Sequence, residues 1–96
     1  MRTEIRIPFS SRYMRWIGPD IGGDFVEPAN WSTGRAPRDG DMLLFIGRIS
    51  IEAGVNCHLN IDEIRCHGSI TLGSEKNHFA SIVQTIIASG SLIEIW

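Results

Sequence analysis

A repeat of 21 to 22 residues in the second half of the chain restricts the possible folds more than any other sequence feature. Residues 41–51 align with residues 62–72 at an offset of 21, and these align with residues 84–94 at an offset of 22. Each copy alternates apolar and polar residues and carries a glycine at its seventh position. Side chains two apart share one face of a strand, and glycine permits a corner. The repeat therefore predicts an all-β chain, a short parallel β-solenoid of about three coils.

Length and composition place this β-solenoid in one domain, residues 1–96. The chain is 43% hydrophobic and 21% charged, which suits a folded domain with one core. All four prolines lie in the first 37 residues. We therefore predict a basic arm with an edge strand over residues 1–15, a loop-rich N-terminal cap over 16–40, and solenoid coils over 41–96.

Residues 76–88 also fit a helix, which gives an alternative α+β fold. Apolar residues recur there at helical spacing. They are Phe79, Ile82, Val83, Ile86 and Ile87. The β-branched content and the repeated Gly-Ser-apolar pattern favour a strand.

The segment before the first repeat reads Asn-Trp-Ser-Thr-Gly-Arg-Ala-Pro-Arg-Asp-Gly-Asp, residues 30–41. Trp31 is large enough to cover the end of a solenoid, and Gly34 and Pro37 suit turns. This opening, followed by glycine-spaced apolar strands, resembles the eight-glycine domain of large cell-surface and hyaluronan-related proteins. It also resembles openings in bacterial and phage β-helical proteins. The resemblance covers about residues 30–96 and implies a right-handed parallel β-helix without implying an activity.

Two Cys-His pairs, Cys57-His58 and Cys66-His67, could suggest a metal site. Neighbouring side chains of a strand point to opposite faces, so the two members of a pair cannot both bind one ion. We expect cysteines in the core, histidines on the outer face, and no metal or cofactor.

Carboxylates concentrate in the loop-rich half and could serve hydrolysis or calcium binding. They are Asp20, Asp24, Glu27, Asp39 and Asp41. Their spacing matches no calcium loop, and the chain has no nucleophile elbow, phosphate loop or zinc-hydrolase motif. We expect these carboxylates to cap turns and predict no catalytic residue. A β-helix lyase or hydrolase is a third hypothesis, but three coils offer little groove for its site.

Charge is unevenly distributed along the chain. The first fifteen residues carry a net charge of +3, whereas the whole chain carries −2. The arginines of this arm suit bidentate contacts with an acidic partner or a neighbouring subunit, whereas nucleic-acid binding is not expected. The predicted partner interface comprises Arg2, Arg6, Arg12, Arg15, Trp16 and Trp96.

The apolar strand at residues 90–96 leads to the main functional hypothesis. Such a strand needs a cover, and small solenoids commonly obtain buried area by oligomerisation. We expect a homo-oligomer, with a trimer favoured. The predicted function is a non-enzymatic structural protein of a virion, such as a phage capsid decoration (cement) protein that binds the capsid. It would assemble in the host cytoplasm, since no secretion signal or membrane span is evident.

A carbohydrate-binding module is the alternative function. Exposed tryptophans can stack on sugar rings, and nearby carboxylates can bind hydroxyl groups. The residues of this alternative site are Trp16, Trp31, Asp20 and Asp24.

Overall fold

Strands form almost all of the regular structure in the computed structural model, which describes residues 12–96. The strands are β1 Met14–Arg15, β2 Ile21–Asp24, β3 Met42–Ala53, β4 Asn60–Leu72, β5 Ile82–Ile87 and β6 Leu92–Ile95. A single turn of 3₁₀ helix covers Pro28–Asn30. The edge strand predicted from Thr3 to Phe9 lies outside the described residues.

All six strands belong to one sheet in which neighbouring strands run parallel. Strands β1 and β2 both pair with β3, and β5 and β6 both pair with β4. The strands therefore form four rows: β1 with β2, then β3, then β4, then β5 with β6. The prediction of an all-β chain with parallel strands is confirmed.

The pairing of β3 with β4 follows the sequence repeat. Ten consecutive residues pair at an offset of 21, from Met42 opposite Glu63 to Ile51 opposite Leu72. Strand β5 continues this arrangement at an offset of 22, with Ile86 opposite Ile64. The predicted alignment is therefore confirmed for the first two copies and, in the third, for the residues of β5.

Two stacked glycines form the corner in the middle of β3 and β4. Gly47 pairs with Gly68, and both have positive φ, at 112° and 133°. A Cβ atom at Gly68 would clash with the carbonyl oxygen of Gly47, whereas one at Gly47 would meet open space. The corner therefore requires glycine at 68 for close approach as well as for conformation.

One apolar core is shared by the two halves of the bent strands. The alternation of buried residues stops at Gly47 and resumes at Ile49. Leu43 and Phe45 from the first half join Ile49 and Ile51 from the second in a single buried cluster. Val55, before β4, and Ile61, at its start, belong to the same cluster, and Cys57 and Leu59 pack against it.

The first row differs from the predicted loop-rich cap over residues 16–40. Within these residues Ile21 pairs with Ser50, so the predicted cap adds strand β2 to the sheet. The Ile-Gly-Gly-Asp sequence of β2 lacks the apolar alternation by which strands are predicted. The alternative helix at 76–88 is wrong, because β5 occupies Ile82–Ile87.

An ion pair fastens the loop before β3. Arg35 Nη1 and Nη2 donate to Asp41 Oδ2 and Oδ1 at 2.7 and 2.8 Å, and the Arg38 amide donates to Oδ2 at 2.7 Å. The hydrogen bonds from Arg35 hold the pKa of Asp41 below its ordinary value, although burial opposes this effect. The Asp41 carbonyl accepts from the Asp62 amide at 2.9 Å, so the fastened loop also reaches β4.

We predict that Gly68→Ala destabilises the protein more than Gly47→Ala. Both substitutions place a side chain at positive φ, but only the first also meets backbone. Gly68→Ala should lower the free energy of unfolding by about 1–3 kcal/mol more than Gly47→Ala does, which is the usual cost of forced overpacking. Urea unfolding followed by circular dichroism measures the difference, and equal losses would contradict the close approach at this corner.

We also predict a pH effect from Asp41. Because its folded-state pKa is lowered, the ion pair stabilises the fold above the unfolded-state pKa of about 3.9, and this contribution is lost as the pH falls through the folded-state pKa. Between about pH 5 and about pH 2, wild-type stability should fall more than that of Asp41→Asn. Urea midpoints across this range measure the effect. Asp62→Asn, at an exposed carboxylate, is the control that should keep the wild-type slope.

Candidate interaction surface

The two ends of the stack of rows differ in how they are covered. At the first row, residues 15–17 are paired antiparallel by the segment that follows the 3₁₀ turn. The Ile17 amide donates to the Asn30 carbonyl at 2.8 Å, and the Ser32 amide donates to the Arg15 carbonyl at 2.9 Å. The backbone at this end therefore has hydrogen-bond partners beyond those in β3.

Aromatic rings close the same end. Trp31 is 1% exposed, and its ring lies edge-on to Trp16, Phe25 and Phe45 at centroid distances of 5.3, 5.5 and 5.7 Å. Its Nε1 donates to the Phe25 carbonyl at 2.8 Å. These contacts bury the ring and satisfy its polar atom, as the predicted capping role of Trp31 requires.

At the other end, β5 and β6 pair only with β4 among the described residues. Large apolar side chains of the fourth row remain exposed. We call this set the C-terminal apolar surface; it consists of Ile82, Ile86, Leu92, Ile95 and Trp96. Ile86 is 44% exposed and Ile95 is 39% exposed, whereas Ile64 and Leu72, with which they pair in β4, are buried. The core is therefore covered on only one side in this row.

Two serine hydroxyls attach the fourth row to the third where the backbone ladder is interrupted. Ser81 Oγ donates to the Cys57 carbonyl at 2.8 Å and accepts from the Leu59 amide at 3.1 Å. Ser91 Oγ does the same with the Cys66 carbonyl and the Gly68 amide, both at 3.0 Å. In a parallel ladder the N–H of one residue donates to the carbonyl of residue i−1 on the neighbouring strand, and its C=O accepts from the amide of residue i+1. Each hydroxyl thus takes the place of the backbone groups of one residue.

The fourth row also departs from the predicted alignment after β5. The repeat places Leu92 opposite Ile70, but Ile93 lies there, and Leu92 lies opposite Ser69. A turn in which the Ser91 amide donates to the Ala88 carbonyl at 2.8 Å accommodates one additional residue. Consequently Ile93 packs toward the core and Leu92 lies on the outer surface.

The residues of the predicted partner interface are scattered. Arg2 and Arg6 lie outside the described residues, and Arg12 and Arg15 are exposed. Trp16 is 3% exposed and donates from Nε1 to the Pro19 carbonyl, so it belongs to the aromatic core rather than to an interface. Trp96 is 45% exposed and belongs to the C-terminal apolar surface.

Burial removes the stacking surface of the alternative carbohydrate site. Neither Trp16 nor Trp31 presents a ring face to solvent. Asp24 Oδ1 accepts from the Val26 amide at 3.0 Å, and the Asp20 carbonyl accepts from the Ser50 amide at 2.7 Å. Asp24 therefore caps a turn, and Asp20 helps to join the chain to β3. The two tryptophans pack in the aromatic core.

The cysteines and histidines lie as predicted. Cys66 is buried and Cys57 is partly buried, whereas His58 and His67 are exposed. Burial raises the pKa of the Cys66 thiol to about 11, so this thiol is protonated at neutral pH. Residues 12–96 contain no cluster of three or more side chains suited to a metal ion.

Sequence reasoning missed a polar cluster on the outer face of the sheet. The Tyr13 hydroxyl donates to Glu63 Oε2 at 2.5 Å, Arg65 Nε lies 3.3 Å from the same oxygen, and the Arg65 guanidinium lies 5.3 Å from the Tyr13 ring centroid. Burial, together with the hydrogen bond to Glu63, raises the pKa of Tyr13. Fifty residues separate Tyr13 from Glu63, and no local pattern indicates their contact.

A shallow groove of about 180 Å³ lies at the second half of β3. It is lined by Ile21, Arg48, Ile49, Ser50, Ser69 and Thr71. This volume is smaller than the roughly 300 Å³ at which small-molecule pockets begin. The C-terminal apolar surface is therefore the stronger candidate for an interaction.

Comparisons of the chain with protein-family models, with curated proteins and with solved structures find no match. The resemblance to the eight-glycine domain and to phage β-helical proteins therefore stays a prediction. Within the part of the chain that the structure describes, no helix is long and apolar enough to cross a membrane.

We predict that Ser91→Ala loosens the fourth row. The substitution removes two hydrogen bonds to β4, and the expected loss of stability is about 1–3 kcal/mol. Ser89→Ala, at an exposed position of the same turn, is the matched control. Amide hydrogen exchange should accelerate at Gly68 only in Ser91→Ala; unchanged exchange there would contradict the role of this hydroxyl.

Proposed function

We propose that the chain is a short parallel β-solenoid that serves as a non-enzymatic component of a larger assembly. The observation that carries the proposal is the difference between its ends. Aromatic rings and backbone hydrogen bonds cover the first row at residues 15–17, whereas the fourth row presents the C-terminal apolar surface. An exposed apolar patch on an uncovered sheet edge is typical of a protein interaction site.

Three features support the solenoid. The strands of successive rows run parallel, β3 and β4 pair in register over ten residues, and the glycine corners lie one above the other. Both halves of each long strand contribute to one core. Stacked coils with a shared interior require this combination.

The proposal assigns structural tasks to the polar residues that could otherwise suggest catalysis. Asp39 Oδ1 accepts from the Asn60 amide, Glu27 caps the 3₁₀ turn, and Asp41 binds Arg35. The buried thiol of Cys66 is a packing group. On this basis we propose no catalytic residue, metal or cofactor.

The assembly that fits this proposal is a virion, with the chain as a homo-oligomeric decoration protein on a phage capsid. A small domain that presents the C-terminal apolar surface at one end of its rows is suited to binding a shell. The step from architecture to virion rests on analogy of fold and size. The proposal includes assembly in the host cytoplasm, with the exposed Arg12 and Arg15 as further contacts to acidic capsid surfaces.

Sedimentation of particles tests the proposed function. Cells that carry the gene are lysed, particles are separated on a density gradient, and the protein is detected with an antibody. We expect wild-type protein to sediment with particles and Ile82→Glu to remain with free proteins, since the charge falls within the C-terminal apolar surface. Ile17→Glu, at a position 57% exposed outside this surface, is the matched control and should sediment like wild type.

Circular dichroism of each purified variant verifies its folding. Wild-type protein that stays entirely at the top of the gradient would overturn the proposed function.

A further inference from the structure

We infer that the groove at the second half of β3 is a binding site for one oxyanion group, a phosphate or a sulfate. This site does not depend on the proposed function, because its polar residues lie outside the C-terminal apolar surface. Four of the six residues that line the groove have polar side chains, and we call these the groove donors. They are Arg48, Ser50, Ser69 and Thr71.

The register of β3 and β4 places the groove donors at the corners of a rectangle on the outer face of the sheet. Arg48 pairs with Ser69, and Ser50 pairs with Thr71. Neighbouring strands lie about 4.8 Å apart, and residues i and i+2 of one strand are about 6.6 Å apart. Each corner therefore lies about 4 Å from the centre of the rectangle. At this distance all four side chains can donate to a single small group above the centre.

The polar groups of the groove donors are not used by the rest of the described chain. None of these four side chains has a hydrogen-bond or ion-pair partner within residues 12–96. By contrast, Arg35 is paired with a carboxylate, and the hydroxyls of Ser81 and Ser91 bond to backbone groups of the third row. The groove donors are therefore available to a ligand.

The charge of the groove selects an anion. Arg48 is the one charged side chain among the described residues that line it, and a guanidinium donates hydrogen bonds but cannot accept them. A ligand that engages Arg48 must be an acceptor, and negative charge on the ligand strengthens each bond. A tetrahedral group directs its oxygens around one centre and so matches four donors around one centre, whereas a planar carboxylate presents two oxygens.

The size and the flanks of the groove suit one ionic group. Its volume of about 180 Å³ is too small for a drug-sized ligand. Ile21 pairs with Ser50 from the first row, and Leu92 pairs with Ser69 from the fourth, so apolar side chains flank the groove donors on both sides. Low-dielectric surroundings strengthen the attraction between a guanidinium and an anion. These flanks therefore favour binding in the groove over binding to an isolated surface arginine.

NMR titration of the isotope-labelled full-length protein tests the inference. Sodium phosphate, sodium sulfate and sodium acetate are added in turn, with sodium chloride keeping the ionic strength constant. We expect saturable shifts of the backbone amides of the groove donors with phosphate and sulfate, and weaker binding of acetate. Absence of saturable shifts at these amides, or acetate binding as tightly as phosphate and sulfate, would overturn the inference.

Variants distinguish the groove from general attraction by positive charge. Arg48→Gln, and Thr71→Val with its similar shape, should each weaken binding at least about tenfold. Glu94→Gln should tighten binding, because Glu94 lies opposite Thr71 on the same face and its charge repels an anion. Arg38→Gln, at an exposed arginine outside the groove, is the matched control and should bind like wild type.

Circular dichroism of each variant verifies its folding. Equal weakening by Arg38→Gln and Arg48→Gln would overturn the inference.

A polymer comparison identifies the source of the oxyanion, which can be a free ion or an ester on a larger molecule. Dextran sulfate and unsulfated dextran are compared with sodium sulfate in the same titration. Dextran sulfate that binds more tightly than the free ion, and loses this binding in Arg48→Gln, supports an ester. Binding of the free ions alone supports a free oxyanion. Unsulfated dextran that binds as tightly as dextran sulfate would overturn the inference.

Discussion

The close approach of Gly68 to the Gly47 carbonyl is the contact on which the rest of the structure depends. It allows β3 and β4 to turn the same corner one above the other while all ten residue pairs stay in register. Without it, the second halves of the two strands would lose their alignment with the first. The single core shared by both halves, and the rows added on either side, require that alignment.

Much of this arrangement could be predicted because the constraint is repeated in the sequence. Leu43 and Ile64, and then Ile49 and Ile70, occupy equivalent positions of the repeat and lie opposite one another. A side-chain period of two, combined with a corner glycine, determines which residues face inward. For this reason the inward position of Cys66 could also be predicted.

The parts that could not be predicted lack such repetition. Strand β2 includes two consecutive glycines, and it forms a strand because Ser50 and Ala53 offer hydrogen-bond partners along β3. The change of register at Leu92 arises where a turn absorbs one additional residue and the Ser91 hydroxyl takes over a backbone role. A hydrogen bond between distant segments leaves no pattern in the sequence. Neither does a serine hydroxyl that replaces backbone hydrogen-bonding groups. The C-terminal apolar surface includes Leu92 because of this same shift, which moves Leu92 from a predicted core position to the exterior.

A repeating stack has no internal reason to stop, since every row is an adequate template for the next. Each end must therefore be covered by something other than a further identical row. At residues 15–17 of the first row the chain uses its own residues 30–32 and the ring of Trp31, which give hydrogen-bond partners to the backbone and cover the core. The fourth row has inward-facing apolar residues, such as Ile86 and Ile93, but none of these covering groups among the described residues.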